Sequence, residues 1–430
     1  MNNVLSFERE QKLVRLLISF IAVGLVFMVL PGTFLGVWNL FAISGGHSAS
    51  SVPATWIQAH GHAQVFGWVG TFILGISFYT LPNLRRITSP NYAEGWLMLA
   101  LWTLGVTGRW FAGVYLIGWR FLLPSSALLE LAAFCILLWM GYRSHEFKPE
   151  PGKQLPPFVP LFLSGVVGLA LSLLLLCYES FTAALSGAAP VVPAIADAKL
   201  VVLETWGFAV PVAWAYTAKW MPVFLGLRKP HLRMVGSAAL VNLAAIFLVL
   251  ADQLFVATLA LTASSVLIIL GLNLWVPAEE PAKITGVHKT FPLFIRLAYG
   301  WLLVADLLIV ISALLATPAG ITGAARHALT VGFLATMVFS VAPRMLPAFF
   351  GRKGLYSARL MFWATLVLNC GCALRVVSEM VAYHFGATVA WIALPISASL
   401  ELTAVVLFAI NMFKTMAQPP LLAELRGGPS

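Results

Sequence analysis

The residues able to do chemistry in this 430-residue chain are few, and two of its eight histidines are placed alike. His62 stands in the mostly apolar run HGHAQVFGWVGTFILGISFYTLP, which begins at His60, and His327 opens HALTVGFLATMVFSVAPRMLP. In each run a Gly follows the His by five residues (Gly67, Gly332) and a Pro follows it by twenty (Pro82, Pro347). A weaker third copy carries Gly207 and Pro222, with Val202 where the His would stand. A neutral imidazole is a common ligand of haem iron, and two of them give a low-spin, six-coordinate haem suited to electron transfer. The expectation is one b-type haem shared by His62 and His327, because no CxxCH motif is present for covalent attachment.

His60 forms an H-x-H with His62. On a helix two such residues point about 200° apart and cannot bind one iron. A helix beginning only after His60 would let both reach a small metal such as copper, with His47 of the preceding loop as a third donor. Arg109 and Arg375 are cations within apolar runs and follow their histidines by 47 and 48 residues. An Arg fork suits a carboxylate, so its partner is either a haem propionate or Glu130 and Glu401. Those acids recur too, in LPSSALLEL and LPISASLEL, each six residues after its Pro. Asp197, Lys199 and Glu204 cluster where the third copy lacks its His, and His384 is a second-rank ligand. Asp306 is an intramembrane acid without an obvious partner. Cys135, Cys177, Cys370 and Cys372 lie in apolar runs and read as packing residues.

The elements that must position these groups are membrane helices. The chain is 60% hydrophobic and 10% charged, with mean hydropathy +0.91, which excludes a soluble globular domain. About twelve apolar stretches have crossing length, beginning near residues 12, 60, 94, 121, 158, 199, 234, 255, 293, 326, 357 and 387. The expected fold is a single all-α transmembrane domain over residues 1–430. The recurrences divide it into three pseudo-repeats of four helices, approximately 1–148, 149–285 and 286–430. Lys and Arg concentrate at the N-terminus and in the even loops, which places both termini in the cytoplasm. The +10 charge is thus a topology signal, and no nucleic-acid-binding motif accompanies it.

The F-G-W-V-G after His62, the Y-T-L-P closing that run and the second His on helix 10 resemble subunit I of haem–copper oxidases and nitric oxide reductases. That family has twelve helices in three pseudo-repeats and a low-spin haem held by histidines of helices 2 and 10, the positions of His62 and His327. HGHAQVFGWVG is more closely similar to the opening motif of the NnrS family of bacterial inner-membrane proteins. The resemblance implies haem b, copper as a second metal, nitric oxide or a redox partner as interactants, and a role in nitric oxide tolerance during denitrification. The chain departs from the oxidases where their chemistry sits. Ala325 stands at the position of the high-spin haem ligand, and no His lies between His145 and His231 to bind copper. A binuclear oxygen- or nitric oxide-reducing centre is therefore not expected. Two other classes stay open: a secondary transporter whose intramembrane Arg and Glu bind an anion or protons, and an accessory protein for assembling a haem or copper enzyme.

Overall fold

The structure, a computed structural model, describes residues 2–84, 91–143, 155–315 and 320–420. The second and fourth loops, with Arg85, Arg86, His145, Lys148 and Lys153, lie largely outside them. Twelve long helices follow one another without a strand among the described residues. They are α1 (2–46), α2 (54–84), α3 (Tyr92–Tyr115), α4 (Trp119–Arg143), α5 (Phe158–Ser186) and α6 (194–225). The remainder are α7 (Leu232–Leu250), α8 (Leu254–Gly271), α9 (Phe291–Leu314), α10 (Ile321–Phe349), α11 (Ala358–Phe385) and α12 (Thr388–Met416). Eleven are long and apolar enough to cross a membrane. The one left out is α6, which carries Asp197, Lys199, Glu204 and Lys219. Asp252, in the left-handed region at φ 61°, makes the tight turn between α7 and α8.

Helix starts matter for the chemistry. Pro53 and Pro193 precede α2 and α6 in extended conformation, and each helix begins at the next residue. Proline fixes φ and needs no hydrogen-bond acceptor, so it suits a helix entrance. As a result α2 begins at Ala54, six residues before His60, and both His60 and His62 lie inside an α-helical segment.

Four helices widen into π-helical segments. One, Met28–Phe34 in α1, contains Pro31, which has no N–H for the α-helical ladder. The others begin immediately after His62, Val202 and His327: Ala63–Gly70, Leu203–Ala209 and Ala328–Ala335. A π segment loosens the regular ladder and leaves carbonyls for side chains to take. The Thr71 hydroxyl donates to the Gly67 carbonyl at 2.6 Å, and Trp102 Nε1 donates to the Phe66 carbonyl at 3.0 Å. Thr336 holds the same place at the end of the α10 segment, and there Asn369 Nδ2 donates to its hydroxyl at 3.1 Å. Aromatic contacts tie α2, α6, α10 and α12 together: Phe66 on Phe208, Trp68 on Phe339, and Phe339 stacked on Phe408 at 4.1 Å.

Candidate functional site

Two buried clusters form from the residues singled out in the sequence. In the first, His62 of α2 faces α3, α4 and α6. Its Nε2 donates to Glu130 Oε1 at 2.9 Å, and its Nδ1 lies 3.9 Å from Glu204 Oε1. The three side chains are 4%, 0% and 6% exposed. The carboxylates approach opposite ring nitrogens, so one ion cannot bind all three groups. Arg109 is buried within electrostatic reach of His62 and Asp197. Its Nε and Nη1 have no hydrogen-bond partner.

The second cluster gathers His327 of α10, Arg375 and Glu379 of α11, Glu401 of α12 and His60 of α2. His60 Nδ1 donates to the Gly32 carbonyl of α1 at 2.9 Å. The Gly323 carbonyl, one turn before His327, lies near that imidazole. The bond to Gly32 leaves His60 with Nε2 as its lone-pair nitrogen. That is the tautomer in which an imidazole ligates a metal. His60, Arg375 and His327 lie within electrostatic reach of one another. Arg375 Nη2 meets Glu379 Oε2 at 3.3 Å, while its Nε and Nη1 and Glu401 Oε1 are buried without partners.

The two clusters rest on matching helix crossings. A Cβ on Gly105 would meet the Ser126 carbonyl at 2.8 Å and Glu130 Cγ at 2.6 Å. A Cβ on Gly371 would meet the Ser397 carbonyl at 3.1 Å and Glu401 Cγ at 2.9 Å. In both places a Gly lets two helices close, and the Arg lies one turn further along the same helix. The Ser hydroxyls return to the carbonyls before Pro124 and Pro395, at 2.7 and 2.6 Å. The carbonyl that Pro395 leaves without an amide donor is that of Trp391, four residues earlier, and the Ser44 hydroxyl donates to it at 2.7 Å.

Against the sequence expectations, the structure separates the two histidines of the H-x-H. His62 turns to Glu130 and Glu204, and His60 turns to the Gly32 carbonyl, its ring against Gly36 of α1. The partner expected for His327 was His62; the group in its electrostatic neighbourhood is His60. Copper shared by His60 and His62 required α2 to begin after His60. Because α2 begins at Ala54, the two rings diverge, and among the described residues no group of three His, Cys, Asp or Glu is arranged to hold a metal. His47 stacks on Trp391 at 5.3 Å and does not join them. Arg109 and Arg375 lie within electrostatic reach of His62 and His327 respectively, and Glu130 and Glu401 belong to the same clusters. Asp306 accepts from the Ser265 hydroxyl at 3.2 Å, well apart from both in the α8–α9 contact. Glu204 stood out in the sequence only as part of the cluster where the third copy lacks its His, and Glu379 carried one missed signal, its place one turn after Arg375. All four cysteines are free.

The twelve-helix arrangement matches solved structures. One is a heme-copper terminal oxidase dimer solved by cryo-EM: TM-score 0.76 at 11% identity, covering 95% of this chain and 85% of that one. At that identity the match defines the fold, an oxidase-subunit-like bundle of membrane helices. The NnrS protein family matches residues 17–419, and the chain belongs to that family. No curated protein matches.

Proposed function

We propose that this membrane protein binds one b-type haem, which His327 of α10 and His60 of α2 would hold. The observation that carries this is the common setting of the two imidazoles. Each has a backbone carbonyl near its ring, Gly32 for His60 and Gly323 for His327, and each lies within electrostatic reach of Arg375, whose guanidinium has buried N–H groups to spare. Arg375 would hold a propionate, and Arg109 would hold the other or a second anion. The oxidase-like fold and the family membership support the same reading. Bound there, haem supplies one-electron transfer.

In this reading His62 has a positioning role. The Glu130 hydrogen bond fixes its ring and, through α2, the direction of His60. The pairing of His62 with His327 is the alternative, and absorbance spectra of the single His→Ala variants decide between them. Family membership supports a role in nitric oxide tolerance or in electron transfer with a redox partner. It also supports a bacterial inner-membrane location. The charge of the loops supports cytoplasmic termini.

The test is a pyridine haemochrome assay on detergent-purified protein from cells supplied with haem. One haem b per chain is expected. Colourless protein would overturn the proposal and shift the weight to anion transport by the buried arginines.

A further inference from the structure

A second feature lies across α10 from His327. A cavity of about 450 Å³ opens among α6, α8, α9 and α10 at the end of the bundle where α6 and α10 begin. Ala325 and Leu329, which line it, are two residues either side of His327 and so face away from that imidazole. The size falls in the range of small-molecule sites, roughly 300–1,000 Å³. The walls are mostly apolar, with Trp206 and Leu261 among them.

The polar groups in the wall are mainly donors. Lys199 and Arg326 both line the cavity, and Asp252 is the one acid that does. Lys199 Nζ is tied to Asp252 Oδ1 at 2.8 Å. Arg326 has no ion pair within 4.0 Å among the described residues. Asp197 and Glu379 face it only at longer range. The wall therefore carries one cation without a contact ion pair, Arg326, at the rim of an apolar space within a membrane protein. The hydroxyls of Ser312 and Thr322, which share a 2.7 Å hydrogen bond, add further donor capacity.

We infer that this cavity binds a monoanionic amphiphile: a single negatively charged, oxygen-bearing head at Arg326 and an acyl chain against Trp206 and the apolar walls. The chemistry is that of a long-chain carboxylate or an anionic phospholipid. It does not depend on the haem reading, and its test uses no cofactor signal.

The experiment is equilibrium binding of radiolabelled oleate to delipidated protein, with methyl oleate as the uncharged comparison. Wild-type protein is expected to bind oleate at least about tenfold more tightly than the ester, because a charge-assisted hydrogen bond is worth about 1.5–3 kcal/mol. Arg326→Gln, a change at an exposed side chain, loses the same factor, and Arg326→Lys recovers part of it. Energy transfer from tryptophan to cis-parinarate falls in Trp206→Phe while oleate affinity is kept, which places the chain. Phosphatidylglycerol vesicles that displace oleate, where phosphatidylcholine vesicles do not, identify a lipid source; failure of both to displace it identifies the free carboxylate. No oleate binding, equal binding of the ester, an unchanged Arg326→Gln, or displacement by a neutral isoprenoid quinone at oleate's affinity would each overturn the inference.

Discussion

At the scale of residues, the H-x-H is divided between two tasks. His60 and His62 leave the same turn of α2 in opposite directions, one toward α1 and the other toward α4 and α6. The interaction easiest to weigh is His62 with Glu130, both buried. Glu130→Ala leaves the imidazole Nε2 without its acceptor and costs about 1–3 kcal/mol. Glu130→Gln keeps a carbonyl acceptor and costs less. The order of thermal unfolding in detergent should run wild type, Glu130→Gln, Glu130→Ala. The composition of this cluster was partly legible. The repeated His, Arg and Glu marked six residues that the structure sorts into two groups of three. Which histidine turns which way was not legible. It depends on where α2 starts, and the apolar pattern begins after Pro53 too weakly to show that start.

At the scale of elements, the π segments after His62 and His327 matter most. Nothing in the apolar periodicity signals them, because hydropathy reports which face is buried and not how the ladder is wound. The signal that does exist is small: a Thr nine residues after each His, at Thr71 and Thr336. Thr71→Val keeps the shape and removes the bond to the Gly67 carbonyl, so it should lower stability by about 1 kcal/mol, read as an earlier unfolding transition. The α5–α6 crossing is far less forgiving. A Cβ on Gly168 would lie 2.0 Å from the Gly207 carbonyl oxygen, and two backbones cannot give way as side chains do. Gly168→Ala is expected to fail as a monodisperse peak on size-exclusion chromatography in detergent. Helix number was legible throughout, since crossing length and charge spacing are set by the bilayer. The boundary between the stretches beginning near 234 and 255 falls at Asp252 and Gln253, where the chain turns.

At the scale of the whole molecule, twelve helices bring the first and last four-helix groups together through α1. Its second half carries Gly32 to His60, and Ser44 donates to the Trp391 carbonyl of α12 at 2.7 Å. The proposed topology makes a direct prediction. In a background without cysteines, Arg228→Cys and Arg352→Cys should react with a membrane-impermeant maleimide only from the cytoplasmic side. Ala188→Cys should react only from the opposite side.

The central claim is that His60 and His327, from α2 and α10, face one another as ligands while His62 serves Glu130. The most direct measurement is the reduced-minus-oxidised absorbance spectrum of purified wild-type protein beside His60→Ala, His62→Ala and His327→Ala. The account predicts a low-spin b-type spectrum that disappears or turns high-spin in the His60 and His327 variants and survives in the His62 variant. Loss of the low-spin spectrum in the His62 variant with retention in the His60 variant would contradict it.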